Sequence, residues 1–340
     1  MAKKGYEIGV DLGTANTLVY VRNRGIVYNE PSIVAFDKAT NKVIAIGHEA
    51  NEMLGKEHVK IQVVKPLEGG VIADYTGTKV ILETVINNLK DTNVDVKKST
   101  LLICCPSEMT TSERKALRDL GQELKINDVF VEQEIKAGAI GAGIDIFKAQ
   151  GSMVIDVGGG STDIGVLSLG DLVAWDSVRV AGSHMDQEII KYVKYKYNME
   201  IGAKTAEKIK LNLGTLREEI VEDIEYTYAG RSMTTNLPSR SKIKQSEVRA
   251  ILVKAFDAII DRVLRLFHNL QPELAADIFE HGIVINGGGA LIEGVKEFFE
   301  ARTGLKVAIS EHPLTSIAEG SKHLLTNRGN YLVNKCNSIP

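Results

Sequence analysis

Residues 6–21 are apolar and rich in β-branched side chains on both sides of Asp11-Leu12-Gly13-Thr14, which predicts two strands joined by a tight glycine turn. The pattern returns about 145 positions later, where residues 152–169 read as strand around Asp156-Val157-Gly158-Gly159-Gly160-Ser161-Thr162-Asp163. Two such copies predict a duplicated domain start. A third glycine cluster, Asn286-Gly287-Gly288-Gly289, follows the apolar run 282–285 and precedes a helix-like stretch over 290–303. Residues 112–124, 185–197, 204–213 and 246–270 space their apolar positions as amphipathic helices do. Strands mix with helices throughout, so the predicted class is α/β. Two further stretches, 31–64 and 181–246, read as insertions that form smaller subdomains. With no low-complexity tract and no Pro, Gly or Ser linker, two lobes meeting across a cleft are expected.

Composition narrows the partners. At 340 residues the chain exceeds what one core organises, roughly 250 to 300 residues, and suits two lobes. A formal net charge of -3 leaves no excess of basic charge to hold a phosphate backbone, which argues against nucleic acid as the main partner. Cys104, Cys105 and Cys336 are too few and too unevenly placed for a disulfide framework or a zinc site, and they read as inert thiols of a reducing compartment. The lysine-bearing residues 1–5 run straight into the first strand with no apolar leader core. No apolar stretch approaches the roughly 20 residues of a membrane span. A cytoplasmic protein is expected.

The glycine turns suggest chemistry. A turn of glycine and small hydroxyl residues brings several backbone N–H groups to a phosphate with no Cβ in the way. Gly13, Thr14, Ala15 and Asn16 form one such candidate, and Gly158, Gly159, Gly160, Ser161 and Thr162 form the other. Asp11 and Asp156 end the strands beside them, where each carboxylate can hold waters on a Mg²⁺ that neutralises a triphosphate. One Asp-x-Gly-Thr alone is more often an ordinary hairpin, but two matched copies and a third glycine loop are hard to explain as turns. No Gly-x-x-x-x-Gly-Lys-Ser/Thr occurs and no Gly-x-Gly-x-x-Gly follows the first strand, which weakens the Walker-type and Rossmann readings.

Longer runs sharpen this reading. Asp11-Leu12-Gly13-Thr14-Ala15-Asn16-Thr17, Asn29-Glu30-Pro31-Ser32 and residues 66–75, 156–170, 181–186, 205–214, 282–294 and 313–320 occur in an order that resembles the MreB family of bacterial actins. That family belongs to the superfamily of actin, Hsp70-type chaperones and sugar kinases. The resemblance implies an actin-like fold of two lobes, each with a duplicated RNase H-like core and a smaller inserted subdomain, and with the nucleotide in the interlobe cleft. Its subdomains fall at 1–32, 66–145 and 311–340 (IA), 33–65 (IB), 146–180 and 246–310 (IIA), and 181–245 (IIB). It assigns Gly13 to Asn16 and Gly158 to Ser161 to the phosphates of ATP, Gly287, Gly288 and Gly289 to the adenosine side, and Asp11 and Asp156 to Mg²⁺ through water. Glu207 and Lys210, on one helical face, fall on positions that flank the base; read alone they are a solvated i,i+3 pair. Glu134 falls where the family orients the hydrolytic water, with Ser161 in place of the usual Thr beside the γ-phosphate.

The departures are also specific. The family's Glu-Glu-Pro-Met run is here Gln133-Glu134-Ile135-Lys136, Asn212 stands where an acid is usual, and Asn286 stands for a Thr. A loop that in many relatives inserts apolar side chains into a bilayer is here Asn93-Val94-Asp95-Val96-Lys97-Lys98. Its lysines leave room for a weak electrostatic contact with anionic lipid, about 1 kcal/mol each. Such departures are similar to those of MreB paralogues from wall-less helical bacteria, whose filaments serve shape and swimming. The resemblance thus implies an ATPase whose partner is itself, in head-to-tail protofilaments paired antiparallel, with other MreB paralogues as further candidate partners and the inner membrane face as a candidate location. A chaperone ATPase would call for a linker and a substrate-binding domain, and a small-molecule kinase for an acid poised over a substrate hydroxyl.

Overall fold

The computed structural model describes residues 5–90, 96–126 and 128–326. The chain divides into two compact units: the first runs to Gln150 and includes residues 165–175 and the chain from Leu314 onward, and the second holds residues 151–164 and 176–313.

The main sheet of the first unit runs in space Gly25–Pro31, Asn16–Val21, Glu7–Leu12, Thr100–Cys105, Asp128–Gln133. Its first three strands in chain order form an antiparallel meander, and the other two lie parallel to Glu7–Leu12. The second main sheet runs Asp171–Val178, Thr162–Ser168, Ser152–Val157, Ile283–Asn286, Val307–Ile309, its last two strands again parallel to the one that begins it. Counted by appearance, both orders are 3-2-1-4-5. The repeat anticipated from the Asp11 and Asp156 turns is therefore a repeat of whole-sheet topology.

Side-chain alternation explains how the first sheet is sandwiched, because successive residues of a strand face opposite sides. Ile8, Val10 and Leu12, with Leu101, Ile103 and Cys105, pack with Leu82, Ile86, Leu117 and Leu120. The opposite row, Leu102 and Cys104, packs with Ala137, Leu324 and Leu325. Helices thus cover both faces, and the strands are buried on both, as parallel strands require. The helix Thr111–Glu123 begins where Thr110 and Glu113 exchange side-chain and backbone hydrogen bonds in a capping box. The 24-residue helix Gln245–His268 buries Val248, Leu252, Ala255, Ile259 and Val263 along one stripe, as its periodicity predicts.

Two helices that periodicity does not reveal, Glu134–Gly141 and Ser316–Thr326, lie against one another. A Cβ on Gly320 would fall 1.8 Å from the Ala137 carbonyl oxygen, and one on Gly141 would fall 1.8 Å from that of Ser316. Small residues set this packing; Glu134–Gly141, buried on nearly all sides, shows no polar face, whereas Ser316–Thr326 keeps Lys322, His323 and Thr326 exposed. The helix expected over 290–303 is also corrected: a short 3₁₀ turn, Gly288–Leu291, precedes the true helix Val295–Thr303. Gly294 adopts φ 79° at the break, and the Glu293 carbonyl accepts from Leu216 N–H at 2.7 Å instead of continuing a helix.

Each unit also carries a small sheet. In the first, Val43–Ile46, Val34–Asp37 and Ile61–Val64 pair beside the helix His48–Met53 and enclose Ile33, Ala35, Ala45 and Ala50. In the second, Met199–Glu200, Glu225–Ser232 and Pro238–Lys244 accompany the helices Gly182–Tyr197 and Ala203–Leu213. Residues 93–95 of the loop singled out above and Cys336 lie outside the described residues. No helix of the described residues is long and apolar enough to cross a membrane.

Candidate functional site

In the first unit, Asp11 sits one residue before the end of its strand, in register with Leu18 on one side and Cys104 on the other. Cys104 is in turn in register with Glu132. Partners in adjacent strands present side chains to the same face, so Asp11, Cys104 and Glu132 form one row across three strands. Burial alone pushes the Asp11 carboxyl up to about 7, and its Oδ1 has no hydrogen-bond partner. Burial, then the neighbouring charges of Asp11, Glu132 and Glu134 with Cys105 among them, pushes the Cys104 thiol well up, which keeps it protonated and unreactive.

The turn that follows is held from below. Ser32 donates its hydroxyl to the Gly13 carbonyl at 2.6 Å and its N–H to the Ala15 carbonyl at 2.9 Å, and Thr17 Oγ1 lies 2.8 Å from Ser32 Oγ. Asn16 donates to the Asn29 side chain at 3.3 Å. Asn29 and Ser32 belong to the run Asn29-Glu30-Pro31-Ser32, whose role is thus to brace the phosphate turn.

The second unit repeats the arrangement. Gly158 N–H donates to the Ser161 carbonyl at 3.0 Å and closes the turn after Asp156. A Cβ on Gly13 would meet the Asn16 carbonyl at 2.7 Å and Asp11 Oδ1 at 3.8 Å, and one on Gly158 would meet the Ser161 carbonyl at 3.0 Å and Asp156 Oδ1 at 3.7 Å. The two turns therefore match atom for atom, including the approach of the carboxylate. Ser161 is buried and donates to Asp163 Oδ2 at 3.1 Å, while Thr162 donates to the Val180 carbonyl at 2.6 Å. In this state Thr162 is a strand residue facing inward, and the turn itself is 158–161.

The third glycine cluster closes on the same strand. Asn286 is in register with Asp156, Gly287 adopts φ 81°, and a Cβ on it would fall 2.4 Å from the Val157 carbonyl oxygen and 2.7 Å from Asp156 Oδ1. Glycine is required there by both conformation and space. Gly288 and Gly289 open the short 3₁₀ turn, and a Cβ on Gly289 would overlap Val157 Cγ1 at 2.2 Å. Asn286 is fully buried with neither side-chain atom paired, a costly state unless a ligand or its water shell supplies partners.

Lys210 reaches this group through Gly182 and Asp186. Lys210 Nζ donates to the Gly182 carbonyl at 3.0 Å and pairs with Asp186 at 2.8 Å, while Gly182 and Ser183 N–H groups donate to the Gly158 and Gly159 carbonyls. The reading of Glu207 and Lys210 as a solvated pair is corrected for Lys210, whose side chain is only 12% exposed and faces Asp186. Glu207 is exposed on the same helix. Gly182 and Asp186 are site residues that local pattern missed; the signal was the run 181–186, which shows no glycine cluster or chemical pair of its own.

Glu134 is the first residue of its helix and is buried, as are Glu132 and Lys136. Glu132 is committed elsewhere: its Oε1 accepts from Gln133 N–H at 3.0 Å and lies 3.3 Å from Lys136 Nζ. The two acids, indistinguishable in sequence, thus have different duties.

These residues fit a Mg²⁺-nucleotide. Asp11 is a buried carboxyl whose ionised form a nearby cation would favour, and in each turn glycine keeps the backbone clear of a Cβ beside the carboxylate. Among the described residues no cluster of three or more His, Cys, Asp or Glu could hold a metal by itself. Mg²⁺ takes one or two carboxylates and completes its shell with water and phosphate oxygens, and Asp11 and Asp156 are the carboxylates that would face it.

A doubled 3-2-1-4-5 sheet with an acid and a glycine turn after each first strand places the protein in the actin-like fold class. Within that class, the family model described as MreB/Mbl protein matches residues 5–332, and the chain belongs to the MreB/Mbl family. It is 40% identical over 321 residues to the cell shape-determining protein Mbl of Bacillus cereus, covering 94% of this chain and 96% of that one. To the cell shape-determining protein MreB of Escherichia coli it is 38% identical over 319 residues, covering 92% and 91% of the two chains. The crystal structure of MreB 5 of Spiroplasma citri bound to AMPPNP superposes with a TM-score of 0.92 at 40% identity, covering 98% of this chain and 100% of that one. The MamK double helical filament, 21% identical with a TM-score of 0.79 and covering 95% and 99% of the two chains, shares the fold.

Proposed function

We propose that this protein is an actin-like cytoskeletal ATPase that binds ATP with Mg²⁺ and polymerises into filaments governing cell shape or motility. The observation that carries the proposal is the matched pair of half-sites, Asp11 with Gly13 to Asn16 and Asp156 with Gly158 to Ser161. One relative, 40% identical, has been crystallised with ADP and with AMPPNP, which supports a nucleotide as ligand.

In this reading the backbone N–H groups of the two turns and the Thr14 and Ser161 hydroxyls bind the phosphates, and the Gly287 to Gly289 loop with Lys210 borders the adenosine. The bound Mg²⁺, approached through water by Asp11 and Asp156, would neutralise phosphate charge. Glu134 orients the attacking water, since phosphoryl transfer depends on positioning and electrostatics more than on covalent help from the protein. Lys136 does not disable it, because that ammonium is bound to Glu132 and Asp171. The state of the nucleotide in turn biases filament growth.

Self-association follows head to tail, with antiparallel pairing through the helix Thr111–Glu123, other MreB paralogues as further partners, and a cytoskeletal location at the inner membrane face. The chaperone and kinase readings have no supporting site. Asp11→Ala tests the assignment: ATP binding measured by fluorescence titration with Mg²⁺ should weaken by at least about tenfold, the scale of one charge-assisted contact. Unchanged affinity together with unchanged assembly would remove Asp11 from the site.

A further inference from the structure

The acid assigned to hydrolysis is flanked by two residues that are both clamped to one strand pair. Ile135 packs against Gly165, where a Cβ would come within 3.0 Å of Ile135 Cγ1. Lys136, fully buried, pairs its ammonium with Glu132 at 3.3 Å and with Asp171 of the strand Asp171–Val178. Leu172, next to Asp171, also lies over Gly165, 2.7 Å from where its Cβ would be. Glu134 therefore sits on a corner between the strand Asp128–Gln133 and the helix Glu134–Gly141 that is tied on one side by apolar contact and on the other by an ion triad.

The triad is electrostatically expensive. Lys136 stands in the first turn of its helix, where the backbone dipoles disfavour a cation, and it has lost all of its water. An apolar side chain of similar length would fill the space with no charge to compensate. What the ion pairs add is direction: a salt link spans from the helix start to a strand 35 positions away in sequence, from Lys136 to Asp171. Glu132 contributes the second anchor and holds the Gln133 N–H just before Glu134.

We propose that Lys136 is a positioning residue: by bridging Glu132 and Asp171 it fixes the corner that aims Glu134, so that the ion triad sets the hydrolysis rate without touching nucleotide. The inference rests on the reading of Glu134 as the water-orienting residue. Loosening a corner by about 1 Å can cost up to about 10²-fold in rate while leaving ground-state binding alone.

The test is steady-state phosphate release by the full-length protein, with kcat and KM for ATP measured separately for the parent, Asp171→Asn, Lys136→Met with Glu132→Gln, and Glu134→Ala. Asp171 is about half exposed, and Asp171→Asn keeps its size and shape while Lys136 retains Glu132 as a counter-ion. The double substitution removes the buried charge pair together and so avoids a stranded carboxylate. Expected are a kcat lowered roughly 3- to 30-fold in both, KM for ATP within about twofold of the parent, and unchanged thermal midpoints for Asp171→Asn. A purely structural triad would return parental kcat in the double variant and in Asp171→Asn, and that result overturns the proposal. Should Glu134→Ala hydrolyse as fast as the parent, the underlying assignment of Glu134 fails and the proposal falls with it; should only Glu134→Ala be slow, the clamp alone is wrong.

Discussion

Glu132 and Glu134 stand two residues apart, and their surroundings separate them. Glu132 ends a strand row and is held by Lys136 and Gln133 N–H, whereas Glu134 opens a helix as its first residue. Glu134→Ala is expected to lower turnover by about 10²-fold with nucleotide affinity nearly unchanged, because the lost interaction belongs to the transition state. Ser161→Ala should act in the same direction but less, its hydroxyl being one of several donors. Phosphate release from the three single variants Glu132→Ala, Glu134→Ala and Ser161→Ala decides the order, and a slower Glu132→Ala would reverse the assignment. A different carboxylate, Glu247, reports on stability. Burial pushes its carboxyl up, but the Lys196 ammonium, the Lys244 N–H and the Tyr197 and Tyr192 hydroxyls outweigh that and hold it at about 2. A value below the ordinary one near 4.3 means that the stabilisation is full above about pH 5 and fades as the pH falls toward 2. Glu247→Gln is thus expected to cost about 1 kcal/mol at pH 7, after allowance for solvent screening, and nothing near pH 2. Urea unfolding of both proteins at several pH values measures it; a cost independent of pH would show that charge is not its source.

At the scale of elements, the sequence disclosed strands and glycine turns better than helices. Both Asp-bearing hairpins, and the duplication they announce, were legible because alternation, β-branching and glycine act locally. The long amphipathic helices were legible for the same reason. The helix Glu134–Gly141 was not, since it is buried on nearly every side and shows no polar stripe, and Ser316–Thr326 was missed although Glu319, Lys322, His323 and Thr326 mark a polar face. The partners of Lys210 were likewise hidden: Asp186 lies 24 positions earlier on another helix, and only the fold brings the charges together. The helix Thr111–Glu123 exposes Thr111, Ser112, Lys115, Arg118, Asp119 and Gln122, a polar face. Antiparallel pairing through it would have to be polar and weak, since a stable interface needs a core of buried apolar anchors. Cysteine introduced at Ser112 is expected to cross-link poorly across paired protofilaments relative to an apolar-faced relative; efficient symmetric cross-linking at stoichiometric yield would contradict a weak pairing.

At the scale of the molecule, the two units carry matched half-sites on one sheet topology, and in the proposed reading filament growth depends on the bound nucleotide. A ligand shifts a conformational equilibrium only by its differential affinity for the assembling state, and filament growth is the proposed readout of that shift. Head-to-tail contacts between two different faces repeat without closing, so assembly yields polymers of open length rather than a fixed oligomer. In the proposed reading hydrolysis limits filament lifetime, so the Glu134→Ala protein should polymerise with ATP and persist longer than the parent. The most direct test is electron microscopy, with sedimentation in parallel, of the purified protein without nucleotide, with ATP and Mg²⁺, and with ATP and Mg²⁺ after Asp11→Ala. Filaments are expected only for the parent with ATP and Mg²⁺; a parent that binds ATP yet stays unassembled at high concentration, or filaments equally abundant without nucleotide, would contradict the account.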